Sequence, residues 1–178
     1  MPALYLMCGL PGCGKTTYIK EHLGRYDIHV SRDKIRFGRL GAKDEYFSKE
    51  QDVFKEFCRQ INDGLAKGYN VYADATHLNL ASRNKLLDKI NLNDSVGIFP
   101  INFLVDEDTC QERNAQRSGR AKVPETVIHN MAQSYIPATF NEKYKYIAII
   151  SIDKDGNYKI VYDDGYVRAN ILPRLGKE

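Results

Sequence analysis

The feature that most constrains this chain is the passage from an apolar run, Ala3–Cys8 (ALYLMC), through Gly9-Leu-Pro-Gly-Cys-Gly14-Lys15-Thr16-Thr17 into a stretch of helical spacing, Lys15–Leu23. The glycines let successive backbone N–H groups converge on an anion, and the next helix points the positive end of its dipole at the same place. A strand that ends in such a loop and feeds a helix returns by a crossover, and crossovers join parallel strands covered on both faces. The rest of the chain repeats that alternation. Short strands are expected at Ile28–Val30 and Asn70–Ala73, longer ones at Val96–Val105 and Tyr144–Ile152. Helices are expected over Ser48–Lys67, from about Leu80 to Ile90, over Glu107–Gln116 and over Pro124–Tyr135. Ser48-Lys-Glu-Gln51 fits a capping box, Gly68 a helix stop, and Pro124 the first turn of its helix. Asp155-Gly156-Asn157 turns the last strand into Tyr158–Tyr162 as a hairpin. The expected fold class is α/β, a mainly parallel sheet flanked by helices, with all 178 residues in one domain.

Composition narrows the function classes. With 43% apolar and 28% charged residues the chain is neither disordered nor fibrous. No apolar run reaches the roughly 18 residues of a membrane helix. The N-terminal apolar stretch has no basic region before it and runs into glycines, so it reads as a buried strand rather than a signal peptide, and a cytoplasmic location is expected. Cys8, Cys13, Cys58 and Cys110 form neither a Cys-x-x-Cys pair nor a Cys/His cluster, which argues for reduced thiols and against zinc. A net charge of +3 demands no nucleic-acid partner by itself, but two basic runs stand out, Arg32–Lys43 (RDKIRFGRLGAK) and Arg113–Lys122 (RNAQRSGRAK).

The loop matches G-x-x-x-x-G-K-[ST] in full, between a strand and a helix as its mechanism requires. Gly9, Pro11, Gly12, Cys13, Gly14 and Thr17 are the expected cradle, Lys15 reaches β and γ phosphates, and the Thr16 hydroxyl ligates Mg²⁺. No Asn-Lys-x-Asp base-recognition element is visible, which favours ATP as the nucleotide. In doubly wound sheets ligands sit at the carboxyl ends of strands. Asp74, closing Asn70-Val-Tyr-Ala-Asp74, is the expected partner of a metal-bound water. Asp33 is placed to accept the proton of an attacking hydroxyl, its alternative being a helix N-cap. Arg36, three residues on, shares its face if the segment is helical, and can hold an anion of the acceptor. Arg113 and Arg117, four apart, and Arg120 just beyond form a candidate closing lid, about residues 113–123, whose arginines meet the transferring phosphoryl. Phe37 or Tyr46 could stack an acceptor base.

Taken together, GLPGCGKTT, SRDKIR, DEYFSKEQ, DATHLN and RNAQRSGRAKVPETVIHNM, in that order, resemble the 5′-hydroxyl polynucleotide kinase family, most closely the kinase domain of the bacteriophage members. The resemblance covers roughly residues 3 to 150. It implies a P-loop NTPase fold and transfer of the γ-phosphoryl of ATP to the 5′-OH end of DNA or RNA, with Mg²⁺. It also implies Lys15 and Thr16 at the phosphates and metal, Asp33 as general base, Arg36 at the phosphate next to the acceptor nucleoside, and Arg117 on the donor phosphates with Arg113 beside it. Asp74 and Thr76 match the family's Asp-x-Thr-Asn step, except that His77 stands where Asn is usual. Asp153-Lys-Asp155-Gly156 resembles a haloacid-type phosphatase motif but is read as a hairpin turn, so a kinase alone is expected, acting in nucleic-acid repair. The competing reading is a P-loop kinase for a small alcohol such as an antibiotic, a sugar nucleotide or a nucleoside.

Overall fold

The computed structural model describes residues 1–41, 44–45 and 48–171. Six strands, β1 (Ala3–Cys8), β2 (Asp27–Ser31), β3 (Asn70–Asp74), β4 (Gly97–Leu104), β5 (Ala148–Asp153) and β6 (Tyr158–Tyr162), form one sheet in the order β2-β3-β1-β4-β5-β6. The first five are parallel and β6 is antiparallel to β5, which makes β5 and β6 the expected hairpin. The helices are α1 (Lys15–His22), α2 (Arg32–Arg39), α3 (Glu50–Ala66), α4 (Leu80–Leu87), α5 (Glu107–Ala115) and α6 (Glu125–Ser134).

Central β1 is buried on both faces, and alternate residues divide the core. Leu4 and Leu6 pack with Val53, Phe57 and Ile61 of α3 and with Leu86 and Leu87 of α4. Met7 packs on the other face with Ile19 of α1, Tyr72, Ile101, Phe103 and Cys110 of α5. All four cysteines are free and buried, as the sequence suggests. Among the described residues no helix is long and apolar enough to cross a membrane.

Local chemistry shifts several expected boundaries. Ser48 does not cap α3, because its Oγ donates to Glu45 O at 2.8 Å; the N-cap is Lys49, with no side-chain cap bond. At the other end Gly68, φ 82°, ends the helix as expected, with Gly68 N donating to Leu65 O and Tyr69 N to Gly64 O. Pro124 lies just outside α6 as its N-cap, ψ 139°, instead of in the first turn. Helix α4 is shorter than its apolar pattern because Lys89 N and Ile90 N bond three residues back, to Leu86 O and Leu87 O, which tightens the end. Strand β5 starts at Ala148, not Tyr144. The side chains just before it are engaged elsewhere, Tyr144 OH on Asp88 and Tyr146 OH on Glu142 at 2.7 Å.

Glu142 belongs to a buried network that holds the loop after β3. Arg83 donates to Glu142 at 2.6 and 2.9 Å, and its Nη1 donates to His77 O and Ile136 O at 3.0 Å each. Burial pushes the Glu142 carboxyl up, but hydrogen bonds from Arg83, Tyr146 and Thr139 N outweigh it and hold the group below its ordinary value. Removing one partner from such a pair leaves a buried charge and costs about 3–5 kcal/mol.

Candidate active site

The loop runs from buried β1 into α1, which is anchored in the core by Ile19. Gly12 (φ 87°) and Gly14 (φ 104°) take left-handed conformations that side chains rarely adopt, and Gly14 is the N-cap of α1. At Gly9 a Cβ would lie 2.8 Å from Cys13 Sγ and 2.9 Å from Phe103 Cβ, so the loop enters between them only as glycine. Lys15 is 8% exposed, and its ammonium donates to Gly9 O at 2.9 Å and Leu10 O at 2.7 Å. Pro11 through Thr17 line a cleft of about 840 Å³; Gly9 lies beneath it, bonded through its N–H to Thr76 O at 2.8 Å.

Asp74 ends β3 beside the first turn of α1. Its Oδ2 accepts from Thr16 Oγ1 at 3.1 Å and from His29 Nε2 at 2.8 Å. Burial is the largest influence on this carboxyl and raises its pKa. The His29 hydrogen bond, the Lys15 charge and the Thr16 hydroxyl together overcome it and leave the pKa lowered, so Asp74 is ionised. One hydroxyl and one buried carboxylate are a donor set suited to Mg²⁺, which prefers few protein ligands plus phosphate oxygens.

The opposite wall comes from α2. Ser31 caps that helix, accepting from Lys34 N at 3.3 Å, which leaves Asp33 in the first turn with 59% of its side chain exposed. The N-cap alternative for Asp33 is therefore not what the fold uses. Arg36 is 6% exposed and makes an ion pair with Asp33; its Nε and Nη2 donate to Glu50 at 3.2 and 2.9 Å. Arg32 also pairs with Glu50, and Arg32, Asp33, Arg36 and Glu50 all line the cleft.

The third wall comes from α5 and the loop after it. Arg113 stands over the phosphate loop, its Nη1 4.0 Å from where a Cβ on Gly14 would lie, and its Nη2 donates to Lys154 O at 3.1 Å. Arg117 lines the cleft with it. Arg120 does not; from a 3₁₀ turn (Gly119–Ala121) it reaches Gly41 O at 2.6 Å, beyond the end of α2. The loop carrying Arg117 and Arg120 is closed at its base by fully buried Asn114, which donates to Val123 O at 2.7 Å and accepts from Val123 N at 3.0 Å. Asp153, Lys154, Gly156 and Tyr158 of the hairpin complete that side.

Of the two aromatics expected at the acceptor, Phe37 is half-buried on α2 and Tyr46 lies outside the described residues. His77 is buried, φ 40°, with Nε2 donating to Ala73 O at 3.2 Å; burial lowers its pKa to about 3, so it is neutral. It supports the loop after β3 and does not line the cleft. Reading the residues alone misses three participants. His29 carries a signal only once register is known, since Ser31 pairs with Asp74 and alternation puts His29 on the same sheet face. Glu50 and Asn114 carry none, being ordinary helix residues until the chain folds.

The chain matches the profile of the AAA domain family AAA_33 over residues 4–138 and belongs to that family. No curated protein matches it. Among solved structures, a fungal RNA kinase superposes with a TM-score of 0.62 at 17% identity, covering 99% of this chain and 90% of that one. A chain of the Pnkp1/Rnl/Hen1 RNA repair complex gives 0.61 at 20% identity over 80% of this chain, which spans only 50% of the length of that chain. A sugar kinase from Janibacter sp. HTCC2649 gives 0.53 at 15% identity, covering 88% of this chain and 87% of that one. The fold is that of the P-loop kinases, as expected.

Proposed function

We propose that this protein is an ATP-dependent polynucleotide 5′-hydroxyl kinase acting on DNA or RNA ends in nucleic-acid repair. The observation that carries this reading is the pairing of Asp33 with Arg36 on the cleft wall contributed by α2, with Arg36 anchored from behind by Glu50. A 5′-terminal nucleotide always presents a phosphodiester near its hydroxyl, and an anchored guanidinium is a fixed partner for it. The fungal RNA kinase and the RNA repair complex sharing this fold are consistent with the reading.

In this mechanism the phosphate loop and Lys15 hold the β and γ phosphates, and Lys15 exchanges the carbonyls of Gly9 and Leu10 for phosphate oxygens. Thr16 and Asp74 would hold Mg²⁺, which when bound neutralises charge shared by the β and γ phosphates. Arg36 orients the acceptor. Asp33 accepts the hydroxyl proton while the 5′ oxygen bonds to the γ phosphorus and the bond from that phosphorus to the β-bridging oxygen breaks, releasing ADP. Arg117, with Arg113, closes over the donor and meets the charge on the transferring group.

A second reading, phosphorylation of a small alcohol, is favoured by the sugar kinase that shares the fold. One experiment separates the two: γ-labelled ATP and Mg²⁺ with 5′-hydroxyl DNA and RNA oligonucleotides, beside a panel of sugars and nucleosides. Label on the oligonucleotide 5′ end, reduced about 10²–10⁴-fold in Asp33→Ala and strongly reduced in Arg36→Ala, is the expected result. Label confined to small alcohols replaces the proposal with the second reading.

A further inference from the structure

Beyond the cleft, the surface where α3 meets α4 carries cations that the phosphoryl-transfer chemistry does not use. The ring of Phe54, half-buried on α3, has the Arg32 guanidinium 5.4 Å and the Lys85 ammonium 5.0 Å from its centroid. Lys89 follows in the turn just after α4. Among the described residues neither Lys85 nor Lys89 has an acidic partner, and Arg32 Nε is buried with no hydrogen-bond partner. The neighbouring Asp88 is already paired, with Lys143 at 2.5 Å and with Tyr144. The Cys58 thiol is held above its ordinary value by burial, an effect that the nearby charges of Arg32, Lys89 and Lys85 oppose without overcoming.

An aromatic face orients a cation without cancelling its charge, whereas a carboxylate would cancel it. Phe54 therefore holds the Lys85 ammonium in place and leaves it available to an anion, while Arg32, on the same ring, is also paired with Glu50. Arg32 belongs to both sites, since it also lines the cleft next to Asp33 and Arg36.

We propose that this surface is a track for the single-stranded polynucleotide leading away from the 5′ end, its successive phosphates held by Lys85 and Lys89, with Arg32 at the junction with the cleft. The proposal rests on the polynucleotide kinase function and extends it: the acceptor is gripped over several nucleotides, and Phe54 is a positioning residue for the grip.

The test is a series of 5′-hydroxyl DNA and RNA oligonucleotides from two to ten nucleotides, with KM measured at several salt concentrations. Anisotropy of the same strands labelled at the 3′ end, with MgADP present, reports binding without turnover. KM is expected to fall with length in the wild type. In Lys85→Ala/Lys89→Ala the ratio of dinucleotide to decanucleotide KM collapses toward one, and the log–log salt slope of decanucleotide binding falls by roughly 1.4, about 0.7 per phosphate contact. Phe54→Leu, which keeps the packing and removes the ring, moves the ratio the same way. A KM independent of length, or a wild-type salt slope in the double variant, overturns the track. Transfer to no oligonucleotide overturns the kinase reading, and the anisotropy slope then decides whether the surface binds strands regardless.

Discussion

Two facing walls of the cleft, the phosphate loop and α2, are built by different means. On the donor side nine consecutive residues do nearly everything: backbone N–H groups, two left-handed glycines and one lysine, held between a strand and a helix. On the acceptor side Asp33 and Arg36 come from α2 and their anchor Glu50 from α3, helices whose Ile35, Val53 and Phe57 share one core cluster and whose polar side chains are tied by ion pairs. A backbone site is rigid because its geometry is the loop's own conformation. A side-chain site depends on the packing that brings separate helices together, so it tolerates change and can be re-tuned to a new acceptor.

Substitutions on the two sides should therefore fail differently. Lys15→Met is expected to give the largest loss, about 10²–10³-fold in kcat for every acceptor tried, as for other pre-organised groups that meet developing charge. A variant that loses activity with one acceptor only would place Lys15 on the wrong wall. Glu50→Gln should act on the acceptor wall alone, raising acceptor KM roughly tenfold, the weight of one charge-assisted hydrogen bond, with the KM for ATP held. Equal rises in both constants would mean that Glu50 supports the fold and not Arg36. The smallest effect concerns the buried support of the loop after β3. His77 has its pKa lowered to about 3 by burial, from 6.5. The unfolded chain therefore takes up a proton below about pH 6.5 that the folded chain refuses until about pH 3. Stability falls across that window as pH drops, by up to about 1.4 kcal/mol per unit. His77→Asn, a residue that tolerates the left-handed backbone there, should flatten the slope in denaturant titrations at pH 6.5 and 4.5.

Apolar alternation and the glycine loop are local signals, and they suffice for the fold class, for β1 and β6 to the residue, and for the hairpin. They fall short where a side chain chooses a distant partner. Ser48 turns back to Glu45 instead of capping α3, and Tyr146 reaches Glu142 instead of extending β5. Helix α2 lacks an apolar stripe long enough to announce it, and its cap, Ser31, is recognisable only after β2 is known to end there.

From the sequence alone came the phosphate loop, the parallel sheet it requires, and the candidate roles of Lys15, Thr16, Asp33, Arg36, Asp74, Arg113 and Arg117, since each sits at the end of a strand or at helical spacing. Only the tertiary structure decided that His29 grips Asp74, that Glu50 anchors Arg36, that Arg120 leaves the cleft for the end of α2, and that Arg32 and Lys85 meet at one ring. The physical reason is sequence separation: periodicity and capping act over a few residues, whereas contacts such as His29 with Asp74, 45 residues apart, exist only once packing closes the chain between them.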